Sequence, residues 1–150
     1  MIIHDDLEEL FLLLNAHHVD YIVVGGYAVA FHGFIRATKD VDIFFANTPK
    51  NIQKLMAVLT DFGISPDTMD QSTFSESGNI IRIGSSPMLV EFFNTISGVT
   101  FDDAWEKRVA GHYGRAEVSF LSKKHLLAAK LAAGRPQDLI DIKELSSSDE

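Results

Sequence analysis

Residues 40–46 read Asp-Val-Asp-Ile-Phe-Phe-Ala, and the two aspartates constrain the fold more than any other stretch. In an extended chain successive side chains alternate between faces, so Val41, Ile43 and Phe45 share one side while Asp40, Asp42 and Phe44 share the other. Val, Ile and Phe suit a covered sheet, whereas two like charges side by side there are costly. One resolution is the exposed face of a half-buried strand. The other is a hard divalent cation, since carboxylate oxygens suit Mg²⁺ (or Mn²⁺), typically held by one or two carboxylates together with substrate phosphates.

The rest of the chain supplies the sheet that such a strand needs. Leu7, Leu10, Phe11 and Leu14 recur at helical spacing behind an Asp6/Glu9 capping pair. Tyr21 to Val24 is a short β-rich run that stops at Gly25-Gly26, and Ala28 to His32 predicts a brief helix ended by Gly33. Thr48 and Pro49 open a helix through Ile52, Leu55, Met56, Leu59 and Phe62, closed by Gly63. The polar stretch from Ser65 to Asn79 reads as a loop with room for one short element. Residues 80–83 and 88–93 form a predicted hairpin across Gly84-Ser85-Ser86-Pro87, which places Glu91 in the middle of an apolar strand. A helix over 101–108, a strand over 115–121, a helix from a Ser122 cap to Gly134 and a last helix from Pro136 complete the pattern. The last of these carries Leu139, Ile142 and Leu145 at helical spacing. This is an α/β (α+β) arrangement in one domain, residues 1–145, with a polar tail over 146–150.

Composition narrows the function. A chain of 150 residues with 46% hydrophobic and 23% charged residues matches a single globular domain. It has no cysteine, which removes disulfides, thiolate nucleophiles and zinc–thiolate sites and fits a reducing compartment. The opening Met1-Ile2-Ile3-His4-Asp5-Asp6 lacks a basic signal region and no apolar run approaches the ~20 residues of a membrane span, so a cytoplasmic protein with no membrane partner is expected. A net charge of −8 argues against coating nucleic acid by bulk electrostatics. From Phe101 to Arg135, however, seven basic residues meet four acidic ones, a window of +3 that leaves −11 elsewhere. That window is either a solvated surface or a basic lobe facing a polyanion.

A diglycine after a strand, paired acids on the next strand and a lone glutamate in a later one combine into a phosphate-handling site. Gly25 and Gly26 are either a plain turn or a place where backbone amides approach a phosphate, with the following helix presenting its positive end, while Glu91 is a third ligand, a general base or an outward-facing strand residue. The stretch from Gly25 to Gly33 lacks Gly-x-Gly-x-x-Gly, and no Gly-Lys-Ser/Thr occurs, which disfavours dinucleotide-binding and P-loop readings. The six histidines show no metal spacing.

Val24-Gly25-Gly26-Tyr27 followed by Arg36-Ala37-Thr38-Lys39-Asp40-Val41-Asp42-Ile43 resembles the DNA polymerase β-like nucleotidyltransferase superfamily, whose hallmark is Gly-Gly or Gly-Ser, a gap, then acid-hydrophobic-acid. Minimal bacterial members related to the AbiEii/MenT toxin group resemble it most, sharing an ending like Lys130-Leu131-Ala132-Ala133-Gly134-Arg135-Pro136-Gln137-Asp138-Leu139-Ile140-Asp141. The resemblance implies a two-layer nucleotidyltransferase fold, a mixed sheet flanked by helices, and two metal ions. It implies transfer of a nucleoside monophosphate from an NTP such as ATP to a hydroxyl acceptor, releasing pyrophosphate. By position, Gly25, Gly26 and Tyr27 match the phosphate-binding turn, Asp40 and Asp42 the metal pair, and Glu91 the third carboxylate, commonly Asp in the superfamily. Lys130 matches a basic residue near the phosphates and Asp138 and Asp141 match acids after it, while Arg36 and Lys39 either reach phosphate or only flank the strand.

The resemblance leaves tRNA, a protein or a small molecule as acceptor. Relatives acting on antibiotics often append a helical domain, and its absence favours a macromolecular acceptor or a partner chain. A toxin–antitoxin component with a cognate antitoxin is the matching biological setting. The rival reading is a degenerate, non-catalytic partner in such a pair.

Overall fold

Strands form where β-branched and aromatic residues run without helical spacing, and in this chain those runs assemble into one sheet. The computed structural model describes residues 4–38, 40–85 and 88–147. Its elements are α1 (Asp5–Ala16), β1 (Tyr21–Val24), α2 (Gly25–Phe31), β2 (Asp40–Phe45), α3 (Pro49–Asp61), a 3-10 turn (Pro66–Thr68) and α4 (Gln71–Ser75). There follow β3 (Ile80–Ser85), β4 (Met88–Phe93), α5 (Phe101–Glu106), β5 (Val109–Tyr113), β6 (Ala116–Phe120), α6 (Lys123–Ala133) and α7 (Pro136–Ser147). The six strands lie in the order β3-β4-β2-β1-β6-β5. β2 and β4 run parallel, as do β1 and β6, and the other neighbours are antiparallel. The expected mixed sheet flanked by helices is the observed one. Among the described residues no helix is long and apolar enough to cross a membrane.

Register assigns the faces. Tyr21 lies opposite Phe45 and Val23 opposite Ile43, while Ile22 meets Phe44 and Val24 meets Asp42. The first set faces α1, whose Phe11 ring stacks on Tyr21 at 6.0 Å, and α4, whose Phe74 ring meets Phe45 edge-on at 6.3 Å. The second face carries Asp42, with Phe101 of α5 against Phe44 at 5.1 Å. Leu7, Leu10, Phe11 and Leu14 of α1 are all buried, as are Ile52, Leu55 and Leu59 of α3.

Local signals are met at α3, where the Thr48 side chain accepts from Asn51 N, and at α6, where Ser122 accepts from His125 N and Gly134 ends the helix at φ +64°. Elsewhere tertiary contacts override them. α1 starts at Asp5 with His4 as its cap and no side-chain capping bond. The backbone N–H of His4 donates to the Tyr113 hydroxyl at 2.8 Å, which fixes the entry earlier than the Asp6/Glu9 pair. α2 begins at Gly25 itself, leaving no loop between strand and helix. The polar stretch holds both the 3-10 turn and α4, the latter capped by Asp70. β5 is a strand that its own sequence does not announce. Its Gly111 lies where a Cβ would press on Phe31 and Phe120, whose rings stack at 4.1 Å. α7 extends two residues into the expected tail, and residues 148–150 lie outside the described ones.

Candidate active site

Val24, Asp42, Glu91 and Arg82 form one row across four adjacent strands, each beside the next in register. Neighbours in register point to the same face, so this row puts the second aspartate of β2 beside the lone glutamate of β4. Asp42 Oδ1 is buried with no hydrogen-bond partner among the described residues. Burial, then the charges of Glu91 and Asp40, raise the Asp42 carboxyl to about 7, against a weaker pull downward from Arg135 and Lys130. Desolvation and like charge both disfavour the ionised form of this carboxyl, and a positive group brought beside it would relieve both.

The diglycine sits directly against that acid. Gly25 has φ +66°, and a Cβ there would collide with Asp42 Oδ2. Both conformation and space therefore require glycine. Gly26 has a different reason, since its Cβ would lie 2.5 Å from Thr38 Oγ1. Thr38 in turn donates to the Asp40 carbonyl at 3.2 Å, so the glycine turn and the start of β2 are packed as one unit.

Glu91 Oε2 accepts from Arg82 Nε at 2.8 Å, with the arginine largely exposed and the glutamate nearly covered. The structure places Glu91 beside Asp42, yet among the described residues no three His, Asp or Glu side chains gather into a metal cage. A cation here would rest on the aspartates and on ligand oxygens.

The facing wall is ionic. Lys130 Nζ, almost fully buried, lies 3.1 Å from Asp138 Oδ1 and 2.9 Å from Asp141 Oδ2. Arg36 holds Asp141 with two bonds, Nε to Oδ1 at 2.8 Å and Nη2 to Oδ2 at 2.9 Å, and Gln137 adds a third at 2.8 Å. Arg135 donates to Asp138 from its backbone and its guanidinium. Burial works against both acids, but the bonds from Arg135 and Lys130 hold Asp138 below the ordinary carboxylate range, and those from Arg36, Lys130 and Gln137 do the same for Asp141.

Between these walls lies a cleft of about 570 Å³ lined by Val24, Gly25, Asp42, Lys130, Arg135 and Asp138 with an apolar side that includes Phe93, Ile96 and Leu126. Gly25, Asp42 and Lys130 were expected at the site and line it. Arg36 does not reach the cleft, because its guanidinium is taken by Asp141. Tyr27 turns toward Tyr113, ring centroids 6.1 Å apart, and burial with that neighbour raises its phenol. Lys39 lies outside the described residues. The basic window is not one lobe. Arg108 stacks over Trp105 at 3.7 Å, Arg115 pairs with Glu8 at 2.9 Å, and of its members only Lys130 and Arg135 line the cleft. The sequence places Arg135 in the basic window without singling it out from the other six, and it gives no sign of the apolar side near Phe93. The Asp three residues after Arg135 was the available signal for the first.

Residues 1–149 match the family described as a nucleotidyltransferase of unknown function (DUF6036). The chain belongs to this nucleotidyltransferase family. Solved structures share its fold. A Thermotoga maritima protein classed as a nucleotidyltransferase superposes with TM-score 0.63 at 16% identity, over 95% of this chain and 91% of that one. The lincosamide antibiotic adenylyltransferase LnuA, lincomycin-bound, gives 0.60 at 20% identity, over 97% and 98%. ANT(2″)-Ia, in complex with adenylyl-2″-tobramycin, gives 0.55 at 12% identity, over 96% and 87%. No curated protein matches the chain by sequence.

Proposed function

We propose that this protein is a Mg²⁺- or Mn²⁺-dependent nucleotidyltransferase that moves a nucleoside monophosphate from an NTP to a hydroxyl acceptor and releases pyrophosphate. The observation that carries the reading is the buried, unpartnered Asp42 oxygen beneath Gly25, facing Lys130 and Arg135 across the cleft. Asp40 and Asp42 would hold the metal, whose chemistry when bound is stabilisation of the attacking acceptor oxygen and of the leaving pyrophosphate oxygen. Gly25 leaves room for a phosphate chain against the strand end, and Lys130 and Arg135 offset its charge. Glu91, beside Asp42 in register, would take the acceptor's proton. Its Oε2 is engaged by Arg82, which orients the carboxylate and leaves Oε1 for that task. The acceptor oxygen attacks the α-phosphorus, the bond to the bridging oxygen of the β-phosphate breaks, and the proton passes to Glu91.

The expected tilt toward a macromolecular acceptor loses its support in the comparison with LnuA, since this chain spans 98% of that adenylyltransferase. An acceptor hydroxyl on a small molecule therefore needs no appended domain and ranks with tRNA or a protein. The likeness of the ending from Lys130 to Asp141 is what supports the finer placement beside the AbiEii/MenT toxins, a setting that would bring a cognate antitoxin as partner and the cytoplasm as compartment. The second reading, a non-catalytic member, draws on Glu91 standing where the superfamily commonly has Asp; the Arg82 bond, which takes Oε2 alone, does not separate the two. Incubating the protein with each labelled NTP, Mg²⁺, total RNA, lysate protein and a panel of hydroxylated small molecules tests both. Label transfer in the wild type, reduced about 10²-fold or more in Glu91→Gln with nucleotide affinity little changed, supports the enzyme. Nucleotide binding without transfer to any acceptor supports the degenerate partner.

A further inference from the structure

The ionic wall has five charged members whose bonds connect them into one unit. Arg36, Lys130 and Arg135 carry three positive charges, and Asp138 and Asp141 two negative ones. Both acids are buried and both touch Lys130 Nζ. Without other partners they would neutralise that ammonium twice over. Each has a second cation. Arg135 takes Asp138 from the cleft side, and Arg36 takes Asp141 through a two-bond fork across 105 positions of sequence. The fork geometry matches a carboxylate closely and is the arrangement in which Arg and Lys differ most.

We propose that Arg36 is a positioning residue for phosphate recognition: by occupying Asp141 it leaves one unit of positive charge on the Lys130 side of the cleft for the phosphate chain. This rests on the proposed function, in which phosphate lies between Asp42 and Lys130. Arg36 never touches the ligand. It acts by charge count, since removing it takes the wall from +1 to zero while Lys130 and both acids stay in place. Arg36 also bonds the Ala37 carbonyl at 3.2 Å, in the segment that delivers Thr38 to Gly26, so a purely structural tie is the reading to be separated.

The test uses the full chain and inorganic tripolyphosphate with Mg²⁺, a phosphate chain without a base, followed by calorimetry alongside thermal melts. Arg36→Gln should weaken binding about tenfold or more, one charge pair at an effective dielectric near 20 being of that order. Asp141→Asn should bind at least as tightly as wild type. The double variant Arg36→Gln/Asp141→Asn restores the +1 count and should return affinity to within about threefold of wild type, whereas a structural tie would stay broken in it. A double variant no tighter than Arg36→Gln, or an Arg36→Gln that binds like wild type, would overturn the proposal. Lys130→Ala separates the two levels. Unchanged binding there, or no binding by the wild type, removes the phosphate reading of the cleft itself and the proposal with it. Loss of binding in Lys130→Ala with a silent Arg36→Gln removes only the positioning role.

Discussion

Helices α1 and α7 each have twelve residues and are built inside out relative to one another. α1 buries Leu7, Leu10, Phe11 and Leu14, leaves the first-turn acids Asp5 and Asp6 outside, and covers the third, Glu8, at the edge where Arg115 pairs with it. α7 buries Asp138 and Asp141 with Leu145, and leaves Leu139 and Ile140 54% and 51% exposed. The α1 wall gains stability from area removed from water, a non-directional term. The α7 wall desolvates charges, which pairing recovers only when every partner is in place. What that arrangement yields is fixed charge beside the cleft. The difference separates a side of the molecule that holds the fold from a side that lines the candidate site, the exchange of stability for function that a working site would show.

Removing one member from either wall should hurt equally. Asp141→Ala leaves Lys130 and Arg36 short of a partner in a buried place and should cost about 3–5 kcal/mol, the same range as Phe11→Ala in the apolar wall. Chemical denaturation of both variants checks this. Replacing the four covered members together, with exposed Arg135 left in place, should then separate them. Arg36→Met/Lys130→Met/Asp138→Leu/Asp141→Leu should retain or gain up to roughly 1–4 kcal/mol while losing nucleotide binding, an outcome no truncation of the α1 core can give. A large loss of stability in that variant would show that the ionic wall is structural. The smallest effect belongs to the outward face of α7, where Leu139→Ser should change stability by no more than about 0.5 kcal/mol, against ~2–5 kcal/mol or more for Leu10→Ser.

The same contrast explains what could be read in advance. The α1 stripe, the β2 alternation, and the Thr48, Ser122 and Gly134 signals are local patterns, and each formed where its spacing placed it. Leu139 obeyed the same helical spacing and points to solvent, because the buried side of α7 is chosen by Lys130 and Arg36 rather than by hydropathy. Arg36 finds its partner 105 positions away, beyond the reach of any periodicity. Tyr27 looked like part of the glycine turn, yet α2 starts at Gly25 and carries the ring round to Tyr113. Asp42 was legible because two acids interrupt an apolar strand. Its burial and lack of a partner needed the sheet register and Gly25 above it.

Opposite pH responses belong to the two acid groups. Asp138 and Asp141 are held low, so their contribution is present above about pH 4 and is lost as pH falls through their lowered values. Asp42 is raised from 3.8 to about 7, so the metal-free folded state binds the extra proton and loses stability as pH rises from about 4 to about 7. Without metal the protein should therefore be most stable at mildly acidic pH, which thermal melts across pH in EDTA would reveal.

The most direct test of the metal site compares wild type with Asp42→Asn in thermal melts at about pH 8, in EDTA and then with Mg²⁺ and NTP. In EDTA the variant should melt higher by several degrees, at ~2–4 °C per kcal/mol for a domain of this size. That advantage should shrink as the pH is lowered toward about 4, where the wild-type carboxyl is itself neutral. Mg²⁺ with NTP should raise the wild-type melting temperature and leave the variant unmoved. An Asp42→Asn protein that melts at or below wild type in EDTA and shifts equally with Mg²⁺ and NTP would contradict the metal-site account of β2.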